Sequence, residues 1–229
     1  MSNDAAKEQI DAAKKVADNE AAELEKIRQA VEESFAKWLS DRPAEVALPG
    51  QLGHYPFDEY KDGKLPNLLS DSNRASSSSK NKIVPGKNGN ALQLTGDDGV
   101  NLGVGNFKRT QPFSVALWMN TPHHKERTVV FSRSKAWTDA GSRGYQMLLR
   151  DGHLSTSLIH FWPGNAINIR TTAKLPKNEW HHVTITYDGS TRAAGLAIYV
   201  DGKPADTEIH KDNLYKNITG GGNDHIVIG

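Results

Sequence analysis

Two hydrophobic rhythms divide the chain. Over the first forty residues, apolar side chains fall at Ile10, Ala13, Ala17, Leu24, Ile27, Val31 and Trp38, with Glu20 and Ser34 as polar interruptions. That near-alternation of three and four predicts a single stripe along a helix. Ala, Glu and Lys dominate the segment and favour helix. Asp11 with Lys15 and Glu33 with Lys37 stand four residues apart in the stabilising order. The Ser40-Asp41-Arg42-Pro43 turn stops the pattern near Leu39, so residues 1–42 read as one long amphipathic helix. Its stripe needs cover, either from a neighbouring domain or from a second copy in a coiled coil, although its Ala positions make weak knobs.

From residue 50 the period becomes two. Alternating stretches run over Phe113–Met119, Thr128–Phe131, Tyr145–Leu149, His153–Phe161 and Ala166–Arg170, then over Trp180–Tyr187, Leu196–Val200 and His225–Ile228. Asp151-Gly152, Asp188-Gly189 and Asp201-Gly202 supply tight turns between them. Many short strands without intervening helical patterns predict an antiparallel sandwich or barrel. Asp71–Asn90, with its run of serines from Ser76 to Ser79, reads as a mobile surface loop.

Composition sharpens this division. Residues 1–40 hold nine acids and six bases, whereas every one of the 20 glycines lies at or after Gly50 and the first proline is Pro43. Overall, 28 bases against 27 acids argue against a nucleic-acid binder, which carries a basic excess. No apolar run approaches the roughly 18 residues of a membrane span, and the chain opens without the basic and apolar regions of a secretory signal. The lack of cysteine removes thiolate catalysis, disulfides and Cys-based metal sites. Gly141-Ser142-Arg143-Gly144 has the wrong length for a nucleophile elbow. His123-His124 and His181-His182 are adjacent pairs, and neighbours on a strand point to opposite faces, which disfavours chelation. His182, on one face with Trp180 and Thr184, reads as a structural histidine.

Five motifs in order carry a resemblance. HYPFDE at 54–59, GKNGNALQLTGDDGVNLG at 86–103, QPFSVALWMNT at 111–121, NEWHHVTITYDG at 178–189 followed by AIYVDGK at 197–203, and HIVIG at 225–229 resemble laminin-G-like domains of the concanavalin A-like lectin/glucanase superfamily. The helix ending in FAKWL, directly before such a module, is similar to that of planctomycete multidomain proteins with cytochrome-c-like segments. The resemblance implies a mainly β fold, a two-sheet antiparallel jelly-roll sandwich over 43–229 preceded by one long helix. Such modules usually continue past the Ile-Gly strand, so the sandwich is expected to lack its final strand, to leave an open sheet edge and to come from a longer exported protein, periplasmic or at the cell surface.

The resemblance also frames the chemistry. Glucanases of the superfamily carry paired acids on one strand. Here Glu45, Glu59, Glu126, Glu179 and Glu208 share no strand segment, and Asp97 and Asp98 are adjacent. No enzyme is expected; a polysaccharide-active glycosidase is the weakest reading. The family often holds Ca²⁺ at the rim, which assigns Asp58, Asp97 and Asp98 as calcium ligands and Ca²⁺ as the implied cofactor. Trp118 and Trp180, inside strand patterns, read as core, whereas Trp137 and Trp162 lie in loop-like segments. Exposed indoles stack on sugar rings, and Arg143, Tyr145 and His160 are candidates to add hydrogen bonds. The reading is therefore a non-catalytic recognition or adhesion module for a glycan or a protein partner, with self-association through the helix or the open edge. A structural spacer packing on flanking domains is the alternative.

Overall fold

The computed structural model describes residues 3–41, 48–60, 63–77, 81–96, 98–134, 143–221 and 224–229. The chain divides into two units, 1–50 and 51–229. The first consists of helix α1 (Asn3–Asp41), as the three-and-four spacing predicts. The α1 stripe is exposed, with Leu24 70% and Trp38 57% accessible. Phe35 and Trp38 stack on its surface, with ring centroids 5.8 Å apart.

The second unit is β-structure. Its strands are β1 (Lys64–Leu65), β2 (Ala75–Ser76), β3 (Lys82–Pro85), β4 (Asn90–Gln93), β5 (Val100–Asn101), β6 (Phe113–Asn120), β7 (Thr128–Ser134) and β8 (Gly144–Arg150). They continue as β9 (His153–Phe161), β10 (Asn165–Thr171), β11 (Trp180–Tyr187), β12 (Leu196–Val200), β13 (Lys203–Pro204), β14 (Thr207–Asp212) and β15 (Val227–Ile228). One nine-stranded sheet runs β1-β2-β5-β15-β7-β8-β9-β10-β14, a four-stranded sheet runs β13-β12-β11-β6, and β3 pairs with β4 alone. Every pairing is antiparallel. This is the expected jelly-roll sandwich with one helix before it.

Period-two alternation puts Tyr145, Met147 and Leu149 of β8, Leu154 and Leu158 of β9, and Ile167 and Ile169 of β10 into the core. Val183, Ile185 and Tyr187 of β11 belong to the same core. Each such side chain contributes about 1.5–3 kcal/mol by leaving water. Phe113 sits 4.6 Å from Phe107, 4.7 Å from Tyr145 and 5.6 Å from Tyr187, centroid to centroid. Arg133 of β7 is wholly buried. It donates to the Ile218 carbonyl and to Asn106 Oδ1, each at 2.7 Å, and to Asp224 Oδ1 at 2.9 Å.

Three expectations are corrected. Trp118 and Trp180 are not core: Trp118 is 42% exposed and Trp180 is half-buried. On β6 the inward set is Phe113, Val115, Leu117 and Met119, which turns Trp118 outward. On β11 the buried set is His181, Val183, Ile185 and Tyr187, which turns out Trp180 with His182. The stretch 71–90 is not simply a loop, since it holds β2 and β3; Ser78, Ser79 and Lys80 lie outside the described residues. Finally, the open edge does not fall beside the last strand. Val227 pairs with Asn101 on one side and Ser132 on the other, so β15 is interior and the nine-stranded sheet ends on β1 and β14; the four-stranded sheet ends on β6, which among the described residues pairs only with β11.

Candidate functional site

The outward positions of the nine-stranded sheet line up into a polar row. Since Tyr145, Met147 and Leu149 face the core, Gln146 and Arg150 face away; on β9 and β10 the same alternation turns out Ser155, Ser157, Asn168 and Arg170. The register then sets Ser132 opposite Gln146, Gln146 opposite Ser157, Ser157 opposite Asn168, and Asn168 opposite Lys211. Ser132, Gln146, Ser157 and Asn168 are buried although they point away from the core. Asn168 Nδ2 donates to Ser155 Oγ at 2.9 Å and Ser157 Oγ at 2.8 Å. Asn168, Ser155 and Ser157 are thereby paired, as burial of polar atoms demands.

Where this row meets β14, the surface sinks into a shallow open hollow of about 170 Å³, lined by Arg150, Ser155, Trp162, Asn168, Arg170, His210 and Lys211. Trp162 follows β9 in the turn to β10 and is half-buried. Lys211 Nζ lies over its indole, 6.0 Å from the ring centroid, within cation–π range. Ile169 pairs with Ile209 and Asn168 with Lys211, so His210 is the extra residue of a bulge that crowds side chains at this edge. No carboxylate lines the hollow among the described residues.

Of the residues anticipated from the sequence, Trp162 lines this hollow. Arg143 and His160 meet elsewhere: His160 Nδ1 donates to the Asn217 carbonyl at 2.6 Å, which leaves Nε2 to accept from Arg143 Nη2 at 3.4 Å. Tyr145 is corrected. It is 1% exposed in the aromatic core, and its hydroxyl donates to the Gly105 carbonyl at 2.6 Å, leaving no face for a ligand. Burial pushes that hydroxyl's pKa up, with the Arg133 charge opposing. Gly105, at φ +108°, admits the contact, since a Cβ there would lie 2.7 Å from the hydroxyl oxygen. Trp137 and Asp97 lie outside the described residues.

The assigned calcium ligands do other work. Asp58 Oδ1 accepts the Asn90 N–H at 2.7 Å beside the β3–β4 turn. Asp98 takes the Thr95 N–H and hydroxyl, each at 2.8 Å, and the Gly96 N–H at 3.0 Å. Burial is the largest single influence on the Asp98 pKa and raises it, but those hydrogen bonds together prevail and hold it below the usual carboxylate range. Among the described residues no three Asp, Glu or His side chains gather as a metal site. By themselves Asp58 and Asp98 fall short of the six to eight oxygens that Ca²⁺ takes, and Asp97 lies outside the described residues.

A second surface lies on the four-stranded sheet. Trp118 and His182 face each other at 5.2 Å between ring centroids, and Lys87 Nζ lies 5.6 Å from the Trp118 ring.

Residues 94–229 match the family described as the concanavalin A-like lectin/glucanases superfamily, in its laminin-G type. The chain belongs to that superfamily. Among solved structures, the binding domain of Paraclostridial Mosquitocidal Protein 1 is similar at 17% identity and a TM-score of 0.55, over 74% of this chain and 42% of that one. The fold recurs in the botulinum neurotoxin serotype C1 binding domain, at 16% identity and a TM-score of 0.50, over 73% and 42%. Domain 4 of an extracellular arabinanase from Geobacillus stearothermophilus matches at 18% and 0.48, over 77% and 82%. At these identities the likeness is one of fold, and this lectin/glucanase-type chain spans less than half of the first of these structures. No curated protein matches it.

Neither the hollow's cations nor its Ser and Asn floor were anticipated from the sequence. Each is an outward polar position of an alternating strand, and alternation alone marks such positions only as solvent-facing. Their gathering depends on register across β8, β9, β10 and β14.

Proposed function

We propose that the sandwich is a non-catalytic recognition module that holds a glycan in the hollow beside Trp162. The observation that carries this reading is the half-exposed indole set above a hydrogen-bonded polar floor, an arrangement suited to ring stacking with flanking polar contacts. The carboxylate-free lining supports a binding role over a glycosidase, which needs an acid and a second carboxylate across one cleft. We place the module in a longer exported protein of the planctomycete multidomain kind, a reading supported by the FAKWL helix that precedes it. Affinity electrophoresis against a panel of polysaccharides tests the glycan reading. Retardation by at least one polymer that Trp162→Ala abolishes, with the melting temperature kept, is the expected result. Mobility unaffected by every polymer, or by the substitution, overturns it.

A second reading rests on the other sheet. Trp118, exposed beside His182 and Lys87, supports a protein-binding face on the four-stranded sheet. Aromatic residues of this kind anchor protein interfaces. Chemical footprinting of Trp118 in the presence of flanking domains tests it.

A further inference from the structure

We infer that the saccharide held in the hollow is anionic, carrying carboxylate or sulfate groups. The inference rests on the glycan reading above and adds the ligand's chemical class. Its ground is the distribution of charge. The chain as a whole is nearly balanced, with 28 bases and 27 acids, yet Arg150, Arg170 and Lys211 converge on one hollow that no carboxylate lines among the described residues. None of these three cations makes an ion pair among the described residues. The nearest acid in the register is Glu208, opposite Arg170, and its carboxylate lies 3.8 Å from His210 Nε2. Asp212, next to Lys211, has Oδ1 engaged by the Ala193 N–H at 2.8 Å.

Three like charges around one hollow repel one another, and a bound anion relieves that repulsion. The floor itself is uncharged: Asn168 Nδ2 donates to the Ser155 and Ser157 hydroxyls, which keep their own protons to donate. The charged donors at the hollow are the two guanidinium forks and the Lys211 ammonium, and a fork matches the paired oxygens of a carboxylate or sulfate. Lys211, poised over Trp162, sets a positive charge beside the surface on which a sugar ring would stack.

Calorimetric titration with oligogalacturonate and dextran sulfate, each beside its uncharged counterpart (galactan oligosaccharide and dextran), tests this. An anionic ligand is expected to bind at least tenfold more tightly than its counterpart, with affinity falling as salt rises. Preference for one of the two anions distinguishes carboxylate from sulfate. Arg170→Gln, Lys211→Gln and, as an independent exposed position, Arg150→Gln each weaken binding roughly tenfold, because each removes charge-assisted hydrogen bonds. Lys82→Gln on β3 leaves it unchanged. Salt dependence of the unaltered protein gives a readout that needs no variant. Trp162-dependent binding of a neutral sugar, untouched by the three charge changes, overturns the anionic class and leaves the glycan reading standing. Anion binding that the three changes leave intact also overturns it. Absence of binding by all four ligands overturns the anionic class, and the polysaccharide panel above then decides the glycan reading.

Discussion

His181 and Asp201 tie the β12–β13 turn to β11: His181 Nδ1 donates to Asp201 Oδ2 at 2.8 Å, and Asp201 Oδ1 accepts the His182 N–H at 2.9 Å. Asp201 sits at φ +51° in this turn, a strained conformation that the two bonds hold in place. The strand alternation turns His181 inward while His182 faces out, so two adjacent histidines have unrelated roles.

This pairing makes stability depend on pH in a defined direction. The His181 side chain, and after it the His182 N–H, hold the Asp201 carboxyl below the usual carboxylate range. A depressed folded-state pKa contributes stability that is complete above the unfolded value of about 3.9 and is lost as pH falls through the folded value. Asp201→Asn is expected to be less stable than the unaltered protein at pH 7, with the gap closing below about pH 4. Urea melts across that range check it; a gap independent of pH would refute the assignment.

The outward placement of the two strand tryptophans sets their energetic weight. Trp118→Ala and Trp180→Ala are each expected to cost about 1 kcal/mol or less, as surface changes do. Phe131→Ala, at a fully buried site, is expected to cost about 3–5 kcal/mol. Denaturant midpoints of the three variants separate the two faces.

Those tryptophans also show where sequence reading succeeds and where it stops. The bounds of β9, β11 and β12 agree with the alternating stretches, because each alternates strongly between clear turns. On β6 the alternation itself sets Phe113, Val115, Leu117 and Met119 on one face; assigning Trp118 to the core put side-chain size above period. Strand β14 escaped notice because Thr207–Asp212 is an exposed edge with no apolar alternation. Strands β1, β2 and β5 have two residues each, too short for any periodicity to register. Of the hollow, only Trp162 was legible, from its place before Pro163-Gly164; its companions needed the register.

Arg133 is expected to be a strong stability determinant. Arg133→Ala leaves the Ile218 carbonyl and Asn106 without their partner and frees Asp224, which predicts a loss of about 3 kcal/mol. Arg133→Lys restores little, since a single ammonium cannot span three acceptors in the guanidinium geometry. Chemical denaturation quantifies both, and limited proteolysis near residues 218–224 reports the released segment.

The exposed α1 stripe predicts association. Sedimentation of the full chain at micromolar concentration is expected to show species larger than a monomer, and removal of residues 1–42 is expected to return a monomer. A full chain that sediments as a monomer refutes it.

The interior position of β15 has a consequence for synthesis. Until Val227 and Ile228 leave the ribosome, β5 and β7 have no strand between them, and the large sheet exists as two separate flanks. Each flank presents an unsatisfied backbone edge until β15 emerges, so the nascent chain carries a gap that any extended peptide can enter. Closure by residues so distant in sequence from both neighbours makes the final step slow. The large sheet is therefore completed only once β15 has been made, and whatever shields the gap until then governs the yield.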